Sequence, residues 1–317
     1  MKKPAGIVYA LEEIPPPLVT AGNAVQHVAL ISINFVYPLL IFRAAGMPTG
    51  SVAGSLAIGL IVLGVASLLH ATRWIGSGFL CPATYTAAYL SPSLLAVKAG
   101  GLPLLFGMTL FAGFAEAAFS RLLNRLRPYF PTEISGLVIL LIGISAGIAG
   151  LRLLLDASAH AVARAEWLVS CITLGSMIAF NVWGRGLVRM LCALEGLIIG
   201  YAISAGTGLL GRQNIAGLES VPWIALPSFQ HDHWSFDVTL VIPFMVACLA
   251  VAMKAVGTIT VCQRMVDADW VRPDMRSVTR GVFTDGISTM VAGAAGAVGA
   301  NTSTPSVGLA FAAGVAG

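Results

Sequence analysis

Charged positions along this chain are separated by long charge-free runs: Ile14 to Phe42, Ala44 to Thr72, Trp74 to Val97, Ala99 to Ala115, Ile134 to Leu151, Trp167 to Gly184, Gly196 to Gly211, Val238 to Met253 and Gly286 to Gly317. Most reach the ~20 apolar residues that cross a bilayer as a helix, and the shorter ones extend past one flanking charge that reaches the headgroups. The last run is too long for one helix and holds the end of one and most of another. Ten membrane segments are therefore expected.

Two segments break the helical pattern. In the third, near Cys81 to Val97, Pro82 and Pro92 bracket a polar, β-tolerant stretch. A proline removes a backbone donor and interrupts a helix, so this segment is expected to be partly extended and then to continue as a half-helix. In the tenth, Ala300 to Gly308 repeats that character: small polar residues, one proline, then an apolar run. Irregular backbone at membrane depth is tolerated only where protein or a watery cavity satisfies it. Two such segments far apart in sequence point to a transporter of inverted repeats, its substrate held where the broken helices meet. They lie seven segments apart, as corresponding positions of a seven-helix repeat would.

The other segments read as helices. The first runs from about Leu18 to Phe42 and the second from about Pro48 to His70. The fourth, about Leu102 to Ser120, carries Glu116 toward its inner end. The fifth to seventh, near Thr132 to Leu155, Ala163 to Val182 and Leu187 to Leu210, are glycine-rich and suited to close packing. An outer loop from Gly211 to Phe236 leads to the eighth, about Asp237 to Gln263. A loop rich in charge, ending at Arg280, precedes the ninth.

Composition narrows the class. The chain is 57% hydrophobic and 10% charged, with 35 Gly and 16 Pro. Soluble domains carry about 25% charged residues, so a water-soluble globule is excluded. With the N-terminus in the cytoplasm and ten alternating segments, twelve basic residues fall in inner loops and five in outer ones. This satisfies the positive-inside rule and places the protein in the cytoplasmic (inner) membrane. No cleavable signal is evident behind Lys2 and Lys3. Cys81, Cys171, Cys192, Cys248 and Cys262 contain no CxxC pair and read as small core residues, neither a metal site nor a disulfide framework. No HExxH, GxSxG or Walker pattern points to an enzyme. Neither a cofactor nor a nucleic-acid partner is expected.

Several motifs together resemble the nucleobase and ascorbate transporters typified by bacterial uracil and xanthine permeases. Val25-Gln26-His27 after Pro-Pro-Leu resembles the family's first-helix Gln-His motif, and Tyr89-Leu90-Ser91-Pro92 the aromatic-x-Ser-Pro of its third segment. Trp223-Ile224-Ala225-Leu226-Pro227 is similar to its outer-loop motif, Asp285-Gly286-Ile287-Ser288 to its ninth helix, and Asn301-Thr302-Ser303 to the start of its tenth. The resemblance implies an all-α polytopic fold of two inverted seven-helix repeats, with short strands in segments 3 and 10. It implies a core domain over 1–125 and 237–317, a gate domain over 126–212 and an outer loop over 213–236. About ten of fourteen segments are present, and the chain is read as truncated before the last four. Relatives couple transport to a proton or sodium ion and are often dimers through the gate.

The resemblance places substrate between segments 3, 8 and 10, on Lys254, Thr258, Ala87, Tyr89, Thr304, Pro305 and Ser306, with Gln26, His27 and Asn301 as a supporting polar network. Two departures stand out. Lys254 occupies the position of the family's nucleobase-binding glutamate, and the tenth segment has neither the acidic nor the amide group expected within Thr304-Pro305-Ser306. A carboxylate accepts the ring N–H groups of uracil or xanthine, whereas an ammonium only donates, so Lys254 favours carbonyl oxygens or an anion. Half-helix N-termini after Pro82 and Pro305 would add positive dipole ends to the same place.

Each residue also has a plainer reading. Lys254 as a snorkelling residue is disfavoured, because ten residues separate it from Arg264, about 15 Å of helix rise against roughly 6 Å of lysine stem. Gln26 and His27 divide evenly between a packed polar patch and a proton-carrying network. Tyr85 and Tyr89 read as core, Glu116 and Glu195 as solvated or arginine-paired carboxylates, and Asp285 as a structural residue beginning a helix. His231-Asp232-His233 is a weak metal triplet. The leading expectation is a secondary transporter of a nucleobase such as uracil, xanthine or urate. The alternatives are an anion transporter or exchanger of sulfate-permease type and a non-transporting membrane protein.

Overall fold

The computed structural model describes residues 3–4, 7–126, 163–185, 192–210, 226–227 and 233–315, with 137, 140, 141, 143, 144, 147, 148, 150–152, 154, 155 and 188. The basic loop at 127–131, much of the fifth segment, most of the outer loop with Trp223, and His231-Asp232 lie outside the described residues.

The chain divides into two compact units, one of Met1–Ser145 with Leu226–Gly317 and one of Ala146–Ala225. In the first, helix α1 (Pro17–Ser32) starts on a proline whose missing N–H costs nothing at a helix N-terminus, and passes through a short 3-10 turn into α2 (Val36–Ala44). Helix α3 is Thr49–Ala71. After strand β1 (Ala83–Tyr85) comes α4 (Leu90–Leu126), which is interrupted at Gly100 and Gly101. Gly101 has φ 69°, a left-handed conformation that glycine adopts without penalty, and Pro103 restarts the helix. The break separates a half-helix from the longer helix that carries Glu116.

In the second unit, α5 (Ala163–Trp183) packs on α6 (Cys192–Gly206). A Cβ on Gly196 would collide with Met177, and one on Gly200 with the Thr173 side chain. Small residues thus set the approach of this pair, as in other membrane helix interfaces.

The first unit resumes with α7 (Val241–Val266), α8 (Met275–Ala295), strand β2 (Ala300–Thr302) and half-helix α9 (Thr304–Ala312). Helices α4 and α8 meet backbone to backbone. A Cβ on Gly113 would strike Met290 N, one on Gly286 would lie 2.5 Å from Ala117 N, and one on Gly293 would lie 2.5 Å from Leu110 N. Among the described residues, five helices are long and apolar enough to cross a membrane: Pro17–Ala44, Thr49–Ala71, Ala87–Leu123, Arg164–Trp183 and Val238–Val266. Helix α8 has the length to cross but carries Arg276, Arg280 and Asp285.

On α3, Ser55 and His70 are buried together with Val52, Ile58, Val62 and Leu63, while Leu60, Ile61, Val65 and Leu68 are exposed. Apolar side chains on the outer face and polar ones kept inside suit a lipid surround. The N-terminal segment lies across the end of α9: Val8 N and Tyr9 N both donate to Gly314 O, at 2.8 and 2.9 Å. Lys3 Nζ and Ala10 N donate to one oxygen of Glu13, which holds that exposed carboxyl below its ordinary pKa, and Arg73 pairs with Glu12.

The third segment is extended first and helical after, as its prolines predict: strand β1 is followed by a 3-10 turn at Ala87–Tyr89, capped by Thr86, which leads into α4. Two expectations are corrected. Asp285 does not begin a helix: Arg276 and Arg280 belong to the first turns of α8, so Asp285 sits mid-helix and fully buried. Glu116 is neither solvated nor arginine-paired. It is fully buried.

Candidate functional site

The site grows from two three-residue strands. Strands β1 and β2 pair antiparallel with Ala83 opposite Thr302, Thr84 opposite Asn301 and Tyr85 opposite Ala300, and Ser303 N donates to Pro82 O at 2.8 Å. Extended backbone within apolar helices needs partners on both edges. Ser67 Oγ of α3 accepts from Ala83 N (2.9 Å), and Thr289 Oγ1 of α8 donates to Ala300 O (2.8 Å). Asn34 fixes the Thr84 side chain from the turn between α1 and α2, donating to its hydroxyl at 2.8 Å. The strand crossing is therefore held by side chains of the neighbouring helices.

Beneath it lies a buried polar cluster. Asp285 Oδ1 meets His70 Nε2 at 3.0 Å, while Asp285 Oδ2 accepts from Asn301 Nδ2 (3.1 Å) and Thr302 Oγ1 (3.3 Å). Asn301 also donates to Val251 O of α7 at 3.3 Å. One carboxylate thus ties α3 and α8 to β2, and Asn301 extends the tie to α7. Tyr89 and Glu116 are buried beside this cluster.

The seven expected substrate-binding residues divide between core and surface. Lys254, Ala87 and Thr304 are half-buried and Pro305 is exposed, whereas Tyr89, Thr258 and Ser306 are buried. Thr258 Oγ1 meets Thr304 Oγ1 at 2.6 Å and donates to Lys254 O at 3.0 Å, which joins α7 to the start of α9. Ser303 caps α9 by accepting from Ser306 N (3.4 Å), and Ser306 Oγ donates to Ser303 Oγ (2.7 Å). Helix α7 also packs against the turn that carries Ala87 and Tyr89. Segments 3, 8 and 10 therefore converge, with ammonium, hydroxyl and backbone groups at one partly open face of this unit.

Of the supporting trio, Asn301 belongs to the Asp285 cluster. His27 is buried with neither ring nitrogen partnered, and Gln26 is half-buried with an unpartnered Oε1. No hydrogen bond joins them to Lys254 or Asp285 among the described residues. Sequence reasoning missed His70 and the burial of Glu116. The available signal was their place inside apolar runs, where an ionisable residue is by default a candidate. It also missed a thiol pair, Cys81 Sγ to Cys262 Sγ at 3.2 Å.

Apolar helices around two facing broken segments, with polar side chains turned inward, define a multi-pass integral membrane protein. The chain belongs to the nucleobase-ascorbate transporter family: the family model described as "Permease family" matches residues 19–316. It is similar to the xanthine permease XanP of Escherichia coli K12, 25% identical over 303 residues, covering 90% of this chain and 65% of that protein. It is likewise similar to the uric acid permease PucJ of Bacillus subtilis, 24% identical over 302 residues with the same coverages. The uric acid transporter UacT of Escherichia coli K12 is 24% identical over 293 residues, covering 88% of this chain and 58% of UacT. The chain thus spans 65% of the length of XanP and PucJ.

Proposed function

We propose that this protein is a secondary transporter of a nucleobase, of the xanthine, urate or uracil type, with its site on the face formed by segments 3, 8 and 10. The single observation that carries this reading is the convergence of Lys254, the Thr258–Thr304 hydroxyl pair and the β1–β2 crossing. Xanthine and urate offer carbonyl oxygens to an ammonium and ring N–H groups to hydroxyl and backbone acceptors.

In this reading the unit with Asp285 is the core that carries substrate, the unit with α5 and α6 belongs to the gate, and the whole is a seven-plus-seven inverted repeat. Transport is coupled to a proton or sodium ion, the protein works in the inner membrane with its N-terminus in the cytoplasm, and two copies meet through the gate. The second reading, an anion exchanger, is supported by Lys254 together with the N-terminus of α9 at the same face. Uptake of radiolabelled xanthine, urate, uracil and sulfate by cells expressing the whole coding sequence separates them. Saturable uptake of a base, lowered at least about tenfold by Lys254→Ala, is the expected result. Sulfate uptake with none of the three bases would sink the nucleobase reading.

A further inference from the structure

Cys81 and Cys262 are 181 residues apart in sequence, and their sulfurs lie 3.2 Å apart. Both are free thiols and both are buried. Cys81 immediately precedes Pro82, whose carbonyl takes part in the strand crossing, and Cys262 lies on α7, two turns beyond Lys254. Cys262 also lines a small apolar crevice with Phe79, Met265, Val307 and Phe311, which leaves room for a water-sized molecule against that sulfur. Among the described residues no group of three or more His, Cys, Asp or Glu side chains is placed to hold a metal ion. The pair therefore has the geometry of a dithiol rather than of a metal centre.

We propose that Cys81 and Cys262 form an oxidisable dithiol, and that a small peroxide converts it to a disulfide stapling the third segment to the eighth. One sulfur of the pair, as its thiolate, attacks one oxygen of hydrogen peroxide, forming an S–O bond as the O–O bond breaks and the second oxygen leaves as water once protonated. The other, as its thiolate, then attacks the sulfenic sulfur, forming the S–S bond and releasing the sulfenic oxygen as a second water once protonated. Two thiols are oxidised and one peroxide is reduced. Drawing the sulfurs from 3.2 Å to a bond of ~2.05 Å takes ~1.1 Å of closure, within the reach of side-chain adjustment. The bond joins the backbone carrying Ala87 and Tyr89 to the helix carrying Lys254 and Thr258, so the two walls of the proposed site move as one when it is closed.

The test treats the purified protein in detergent with graded hydrogen peroxide, then denatures it, blocks remaining thiols with a maleimide and maps the peptides by mass spectrometry. The expected product is a Cys81–Cys262 linked peptide in the wild type that dithiothreitol releases, with the oxidised protein melting several degrees higher than the reduced one. Cys81→Ser yields Cys262 oxygen adducts and no linked peptide. The proposal is overturned if both thiols survive peroxide that oxidises the exposed Cys171. It is equally overturned if Cys81 and Cys262 oxidise separately without a link. The linkage is read in the wild type, so a poorly folding variant does not blur the result.

Discussion

Asp285 meets three side chains at once, and a buried carboxylate with that many partners is costly to lose. Replacing it by Ala takes the partner from His70 Nε2 and Thr302 Oγ1 at membrane depth and leaves Asn301 only its bond to Val251 O, whereas Asn keeps hydrogen-bonding capacity without the charge. Each orphaned buried group costs ~1–3 kcal/mol. Asp285→Ala should therefore lower the melting temperature in detergent clearly more than Asp285→Asn. Equal melting of both with the wild type would mean that the cluster does not hold α3, α8 and β2 together. Glu116 is buried as well. The same physics hid both residues from sequence reading: a charge at the border of an apolar run looks like a helix end until the neighbouring helices are known.

The broken segments were legible as elements because proline and small polar residues at membrane depth admit few conformations. Their pairing register was not, since which residue of β1 faces which of β2 depends on Ser67, Asn34 and Thr289 from three other elements. The break within α4 was legible only as the gap between two expected spans. Its geometry rests on Gly101 at φ 69°. Gly101→Ala should cost ~1–3 kcal/mol, because φ 69° with ψ −156° is a backbone region essentially restricted to glycine, and this is visible as a fall in thermal stability. A larger effect is expected where α4 and α8 touch. Gly113→Val places a branched side chain against the backbone at Met290, and the helices must separate, so the protein should be poorly expressed or aggregated in size-exclusion chromatography. A monodisperse Gly113→Val protein with wild-type stability would contradict this packing.

At the scale of the whole molecule, orientation follows from where the basic residues lie. In a background without the five native cysteines, a single cysteine at exposed Thr49 should react with a membrane-impermeant maleimide in intact cells. One at exposed Trp74 should react only after permeabilisation. The reverse pattern would invert the proposed topology. What the sequence could not convey at this scale is how distant parts meet, because a pairing such as His70 with Asp285 or Cys81 with Cys262 leaves no local period or composition to read.

The strand crossing also has a consequence in time. Strand β1 leaves the ribosome roughly 200 residues before β2, which at ~5–20 residues per second is a wait of some ten to forty seconds. Throughout that interval the backbone of Ala83 to Tyr85 has no partner strand, and the bilayer offers none. That stretch must therefore stay hydrated, or be held by the insertion machinery, until β2 is synthesised. Closure of the crossing is thus set by the arrival of β2, and a chain stalled ahead of Ala300 keeps a polar wound open in the membrane that quality control can recognise.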